Sequence, residues 1–239
     1  MAGASWSLTR RFEEGVLGAV VFGADGRGRS VRWWVYPAIV AIAGAIYGAV
    51  MGSWSAGGEG RAWLVPYAAI KVPLVILATT LICLPGYFVL STVLGLRSEF
   101  RAALGAIAAG QAGTTLALAS LAPITRFVYV GGIGHAGALV LSAGMFTLAA
   151  GAGYAVMVRR YRPLVARAGK HRVMLAAWIT MYVFVGIQMG WMLRPFVGTP
   201  GMGVTFVRQE PLSNAYVAVA RIVVESVREV GGARGMPGR

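Results

Sequence analysis

The chain is short of acid, of histidine and of cysteine, and each shortage removes a class of function. Its eight acidic residues, Glu13, Glu14, Asp25, Glu59, Glu99, Glu210, Glu225 and Glu229, all lie outside the long apolar runs. Proton relays and cation sites within membranes usually use such carboxylates, so an ion-coupled pump is disfavoured and only backbone carbonyls remain as intramembrane cation ligands. The two histidines, His135 and His171, fall on opposite sides of the expected membrane and cannot share one metal or haem. Cys83 is the single cysteine. It excludes an intrachain disulfide and, inside an apolar run, reads as a small buried hydrophobe. No HExxH, GxSxG or P-loop pattern occurs, and Gly131-Gly132-Ile133-Gly134 opens an apolar run instead of following a strand. No catalytic constellation, metal or cofactor is expected.

What the chain has in abundance is apolar surface. With 57% hydrophobic residues, 13% charged residues and a mean hydropathy of +0.69, it cannot cover a soluble globule with polar groups. A hydrocarbon core about 30 Å thick needs about 20 apolar residues in helical form. Five runs meet that length, at about 33–54, 72–96, 102–121, 134–158 and 173–193. The fold expected is all-α, a polytopic integral membrane bundle of five transmembrane helices. Trp33, Trp34, Tyr36 and Trp54 bracket the first run as interfacial anchors. Pro85 followed by Gly86 should kink the second.

Three regions follow: a segment 1–32, the bundle 33–193, and an extramembrane tail 194–239. In the first, Leu8, Phe12, Val16 and Val20 recur every four residues, which suits an interfacial amphipathic helix or a short helix on the loops. It has no convincing secretory cleavage site, so the first span is expected to act as its own insertion signal. In the tail, Ser213 or Asn214 can cap a surface helix carrying Tyr216, Ala220, Val223 and Val227 on one side and the Arg221–Glu225 pair on another. Entry of 215–227 into the bilayer is the alternative, and 231–239 read as a disordered end.

The net charge of +14 has its meaning in where the arginines sit. On one side fall Arg10, Arg11, Arg27, Arg29 and Arg32, then Arg97 and Arg101, then Arg159, Arg160, Arg162, Arg167, Lys170 and Arg172. The opposite loops hold Arg61 and Arg126, with Lys71 at a membrane border. This bias puts the N-terminus in the cytoplasm and, after five spans, the C-terminus in the periplasm. The preponderance of arginine over lysine, with much alanine and glycine, suggests a GC-rich bacterial genome and hence the bacterial cytoplasmic membrane. Anionic lipid headgroups are the expected partner of these loops; nucleic acid is not, since no basic stripe interleaves with aromatics.

Small residues mark candidate packing faces. Gly44, Gly48 and Gly52 form two consecutive GxxxG repeats in the first span, and Gly137, Gly144 and Gly151 recur every seven residues in the fourth. Gly105, Ala109 and Gly113, and Gly186 with Gly190, do likewise in the third and fifth. Such faces pack within a bundle or against a partner subunit or second copy. On the partner reading, Gly48→Leu should abolish association while leaving insertion intact.

Polar candidates are few. Gln111 and Thr115 lie one turn apart, Gln188 shares a face with Thr180, and these can act as interhelical glue or line a solute path. Lys71 is expected to snorkel to headgroups or to meet a partner such as a carboxylate of the tail. Arg194 precedes a proline and so ends the fifth span abruptly, where it can bind lipid phosphate, a partner or Glu210.

The sequence Gln188, Trp191, Arg194, Pro195, Phe196, Gly198, Pro200, then Phe206, Arg208 and Glu210, resembles that of bacterial five-span membrane proteins loosely grouped with the Yip1-like family. The Asp-Leu-Tyr-Gly-Pro motif of true Yip1 proteins is absent. The resemblance implies five spans, a cytoplasmic N-terminus and no established enzyme activity. The function expected is a non-enzymatic membrane scaffold or subunit of a larger assembly. The alternative is a transporter or channel for a neutral or anionic solute, built around Pro85, Gln111, Thr115 and Gln188.

Overall fold

The computed structural model describes residues 33–55, 61–194, 196–198 and 206. Among the described residues there are five α-helices, α1 (Val35–Gly52), α2 (Leu64–Val93), α3 (Phe100–Val130), α4 (His135–Arg167) and α5 (Lys170–Met192), with short 3-10 turns at Ser53–Ser55, Arg61–Trp63 and Arg97–Glu99. All five are long and apolar enough to cross a membrane, so the fold is an all-helical, multi-pass membrane bundle. The surface helices expected at 8–20 and 213–227 lie outside the described residues.

The helices overrun the apolar windows that announce them. α2 begins at Leu64 instead of near 72, α3 continues to Val130, and α4 to Arg167. Helical hydrogen bonding does not stop where hydrocarbon stops; it stops at a breaker. Pro66 is no breaker because the first turn has no intrahelical acceptor for its missing N–H. α2 runs unbroken through Pro73 and Pro85. Glycine supplies the breaks. Gly95 (φ 75°) and Gly132 (φ 82°) adopt left-handed backbone just after α2 and α3. At the first of these turns Leu96 N donates to Ser91 O (2.8 Å), satisfying a carbonyl the helix end leaves open.

α1 lies between α2 and α3, α5 leans on α2, α4 on α3, and α4 and α5 make little contact with one another. The turns after α2 and α4 define an arginine-rich end; the turns after α1 and α3, with residues 194 and 196–198, lie at the opposite end.

The α1–α2 seam is backbone against backbone. A Cβ on Gly48 would stand 2.8 Å from the carbonyl carbon of Ala68, one on Gly52 2.8 Å from that of Leu64, and one on Gly44 3.3 Å from the Pro73 ring. The glycine stripe of the first span is therefore occupied inside the chain, so Gly48→Leu would disrupt the bundle itself before it touched any partner. α3 and α4 cross at Gly110 and Gly153, where a Cβ on Gly153 would be 2.9 Å from the Thr114 backbone nitrogen. The seven-residue series of α4 takes no part: Gly137 meets only Ile133, and Gly144 and Gly151 have nothing within 4 Å. Two residues separate Gly151 from Gly153, about 200° around the helix at 3.6 residues per turn, so they face opposite ways.

Side chains fill the remaining space in layers. Tyr87, Ile107, Tyr161, Met174 and Trp178 pack at the arginine-rich end, and Tyr47, Met51, Val72, Leu118 and Tyr129 toward the other. From the α1–α2 seam, Gly48→Ala is expected to lower stability by about 1 to 3 kcal/mol through overpacking. Gly105→Ala, where a Cβ meets nothing within 4 Å, should be neutral; thermal unfolding of the two variants in detergent distinguishes them.

Candidate functional site

At the arginine-rich end four side chains from four elements form one buried polar chain. The 3-10 turn after α2 presents Glu99, the first turn of α5 presents His171, the last turns of α4 present Tyr161, and α2 presents Tyr87. Glu99 Oε2 pairs with His171 Nε2. His171 Nδ1 lies 3.4 Å from the Tyr161 hydroxyl, which lies 2.8 Å from the Tyr87 hydroxyl. His171, Tyr161 and Tyr87 are all buried. Arg167 Nη1 stands 3.7 Å from Glu99 Oε1 at the surface, and Lys170 Nζ donates to Leu94 O at 3.3 Å.

The donors and acceptors of this chain have one consistent order for a neutral imidazole. A carboxylate only accepts, so His171 Nε2 donates to Glu99; Nδ1 then accepts from Tyr161, whose oxygen accepts the Tyr87 proton. Trp178 closes the inner end, edge-on to Tyr87 at 5.2 Å between centroids. The chain cross-braces helix ends, and each of its buried groups has a hydrogen-bond partner.

At the opposite end, the residues after α5 fold back over α1 and α2. Phe196 and Val197 pack with Tyr47, Met51 and Val72. Gly198 fits where a Cβ would come 2.9 Å from Arg61 Nη2, a steric reason for glycine in the Arg-Pro-Phe-Val-Gly run. Lys71 is fully buried in the third turn of α2, with Nζ 5.1 Å from the centroid of the Phe206 ring, which is itself edge-on to Tyr67. α2 starts at Leu64, so Lys71 lies within the helix, at the edge of its long apolar run and beside a ring of the tail.

The polar candidates of the spans are not gathered. Gln111 Oε1 accepts from the Tyr182 hydroxyl of α5 at 3.0 Å, whereas Thr115 is buried and donates within its own helix to Ala112 O at 3.0 Å. Gln188 is half-buried on α5. A cavity of about 570 Å³ lies between α4 and α5, floored by α1 and α2; Arg194 and His135 line it, and Gln111, Thr115, Gln188 and Lys71 do not. Arg194 stacks over the Trp191 ring. No group of three His, Cys, Asp or Glu residues suited to a metal ion occurs among the described residues.

Sequence reasoning passed over Tyr87 and Tyr161, since a tyrosine in an apolar run looks like any core aromatic. One signal was available: the charge count puts Glu99 and His171 on the same side, and they are the acid and the histidine of adjacent loops. Comparison with known protein families, with curated proteins and with solved structures finds no match to this chain.

Tyr161→Phe leaves both the Tyr87 hydroxyl and His171 Nδ1 without their partner and is expected to cost about 1 to 3 kcal/mol. Tyr87→Phe with Tyr161→Phe should cost less than the sum of the single changes, a coupling that a double-mutant cycle of unfolding measurements would read.

Proposed function

We propose that this chain is a non-enzymatic integral membrane scaffold, a subunit that joins a larger assembly by docking another membrane helix along α4. The observation that carries this is the open glycine face of α4. The close-approach seams of α1 with α2 and of α3 with α4 are filled within the chain, whereas Gly144 and Gly151 meet nothing within 4 Å. Thr147 lies between them, exposed, its hydroxyl turned to Ala143 O at 2.9 Å. Such a face lets a second backbone approach closely, which is how helices associate in lipid. Only 17% and 11% of the spanning windows of α4 and α5 are buried, against 44% for α1 and α3, so the outer pair has most surface to give. The docked helix belongs to another subunit or to a second copy.

The setting that goes with this proposal is the bacterial cytoplasmic membrane, with the arginine-rich end and the N-terminus in the cytoplasm and the C-terminus in the periplasm. The Yip1-like resemblance of the Gln188 to Gly198 stretch supports the same picture. A transporter of a neutral or anionic solute is the second reading, favoured by the cavity beside Arg194. The separation of Gln111, Thr115 and Gln188 from that cavity counts against it.

Gentle extraction of the protein from its own membrane, followed by native mass, tests the scaffold. The expected result is a stoichiometric complex that the Gly144→Leu, Gly151→Leu double variant loses while still inserting; a lone wild-type chain would overturn it. If that lone chain moved solute in proteoliposomes and Arg194→Gln slowed the flux, the transporter would take its place. For the orientation, Ser98→Cys is expected to resist an impermeant maleimide applied to intact cells, and ready labelling would reverse the topology.

A further inference from the structure

We propose that the cavity between α4 and α5 binds one membrane phospholipid with an anionic headgroup, its acyl chain inside and its phosphate at Arg194 and His135. The site is built from membrane-spanning helices, and the two that form its sides make little contact with each other. Its volume of about 570 Å³ falls in the range of ordinary small-molecule sites. The walls are apolar over most of their extent: Met51 and Val72 behind, Leu139 and Phe146 from α4. On the α5 side Gly186 and Gly190, one turn apart, withhold side chains from it. A Cβ on Gly190 would meet nothing within 4 Å and one on Gly186 only a methyl of Thr79 at 3.7 Å. The wall is thus a groove, of the shape an extended hydrocarbon chain fills.

Charge is confined to one end. His135 opens α4 and Arg194 follows α5, so both stand at helix ends at the same end of the bundle, and both line the cavity. The ring of Trp191 holds the Arg194 guanidinium in place. His135 is packed against Trp54, at 5.2 Å between centroids, and its Nδ1 is buried with no hydrogen-bond partner. A buried polar atom of this kind calls for a partner, and a phosphate or glycerol hydroxyl supplies one at the same point where the arginine supplies the countercharge. An apolar groove with a cationic end matches an anionic amphiphile; a zwitterionic one brings a second positive charge to Arg194. The inference is independent of what docks on the outer face of α4.

The test is native mass spectrometry of the whole protein in detergent with equal phosphatidylglycerol and phosphatidylcholine of the same chains. One phosphatidylglycerol should be retained, about tenfold in preference to phosphatidylcholine, as a single charge-assisted bond allows. Arg194→Gln should level the two lipids. Gly190→Leu, which fills the groove, should lose both at unchanged thermal stability, with Ala143→Leu as the second filling variant should the first unfold, and Gly105→Leu should behave as wild type. Equal retention of the two lipids by the wild type, no retention of either, or undiminished binding in a folded groove-filled variant would each overturn the proposal.

Discussion

The bundle depends on the absence of three side chains. In lipid there is no hydrophobic gain from bringing two apolar helices together, so contact must be dense to be worth making. Gly44, Gly48 and Gly52 let the backbone of α1 rest on that of α2 from Pro73 to Leu64, and the rest of the architecture is arranged around that contact. α1 becomes the centre because its other face still meets α3. α3 then carries α4 by the same device, with Gly110 and Gly153 in place of a stripe.

Polar groups inside the membrane are handled mostly by their own helices. Thr80, Ser120, Thr125 and Thr147 each donate to the carbonyl four residues back, which satisfies the hydroxyl without asking anything of a neighbour. Among the described residues the side-chain bonds between helices include Tyr129 with Ser142 at 2.8 Å, Tyr182 with Gln111 in mid-helix, Arg160 to Tyr36 at 2.8 Å, and the chain from Glu99 to Tyr87. Glycine contact sets how close the helices come, and these bonds tie their rotation.

Span number and helical class were legible because hydrocarbon thickness imposes a length on any apolar run. Helix ends were not, since they depend on breakers beyond the apolar window, which is why Lys71, expected just ahead of the second span, lies within α2. The GxxxG stripe of α1 was visible, but the sequence does not say which of two small-residue series on one helix will be buried. In α4 the regular series, Gly144 and Gly151, faces outward, and the unremarked Gly153 makes the crossing. The polar chain joins residues 72, 10 and 74 positions apart, a relation that periodicity within one helix cannot express. The cavity lies where α4 and α5 make little contact, which no local pattern records.

The cover over Lys71 carries a consequence for biosynthesis. Helices enter the membrane in the order they are made, and α2 enters with a lysine in its second half-dozen residues. Phe206, the ring that lies over it, is more than a hundred positions away, beyond three further spans. While α3, α4 and α5 are being synthesised, Lys71 has not yet met the ring that lies beside it in the finished fold. A long lysine can wait at the headgroups. A ribosome that stops before residue 206 leaves a five-span protein whose glycine seam is complete and whose Lys71 lacks its tail cover.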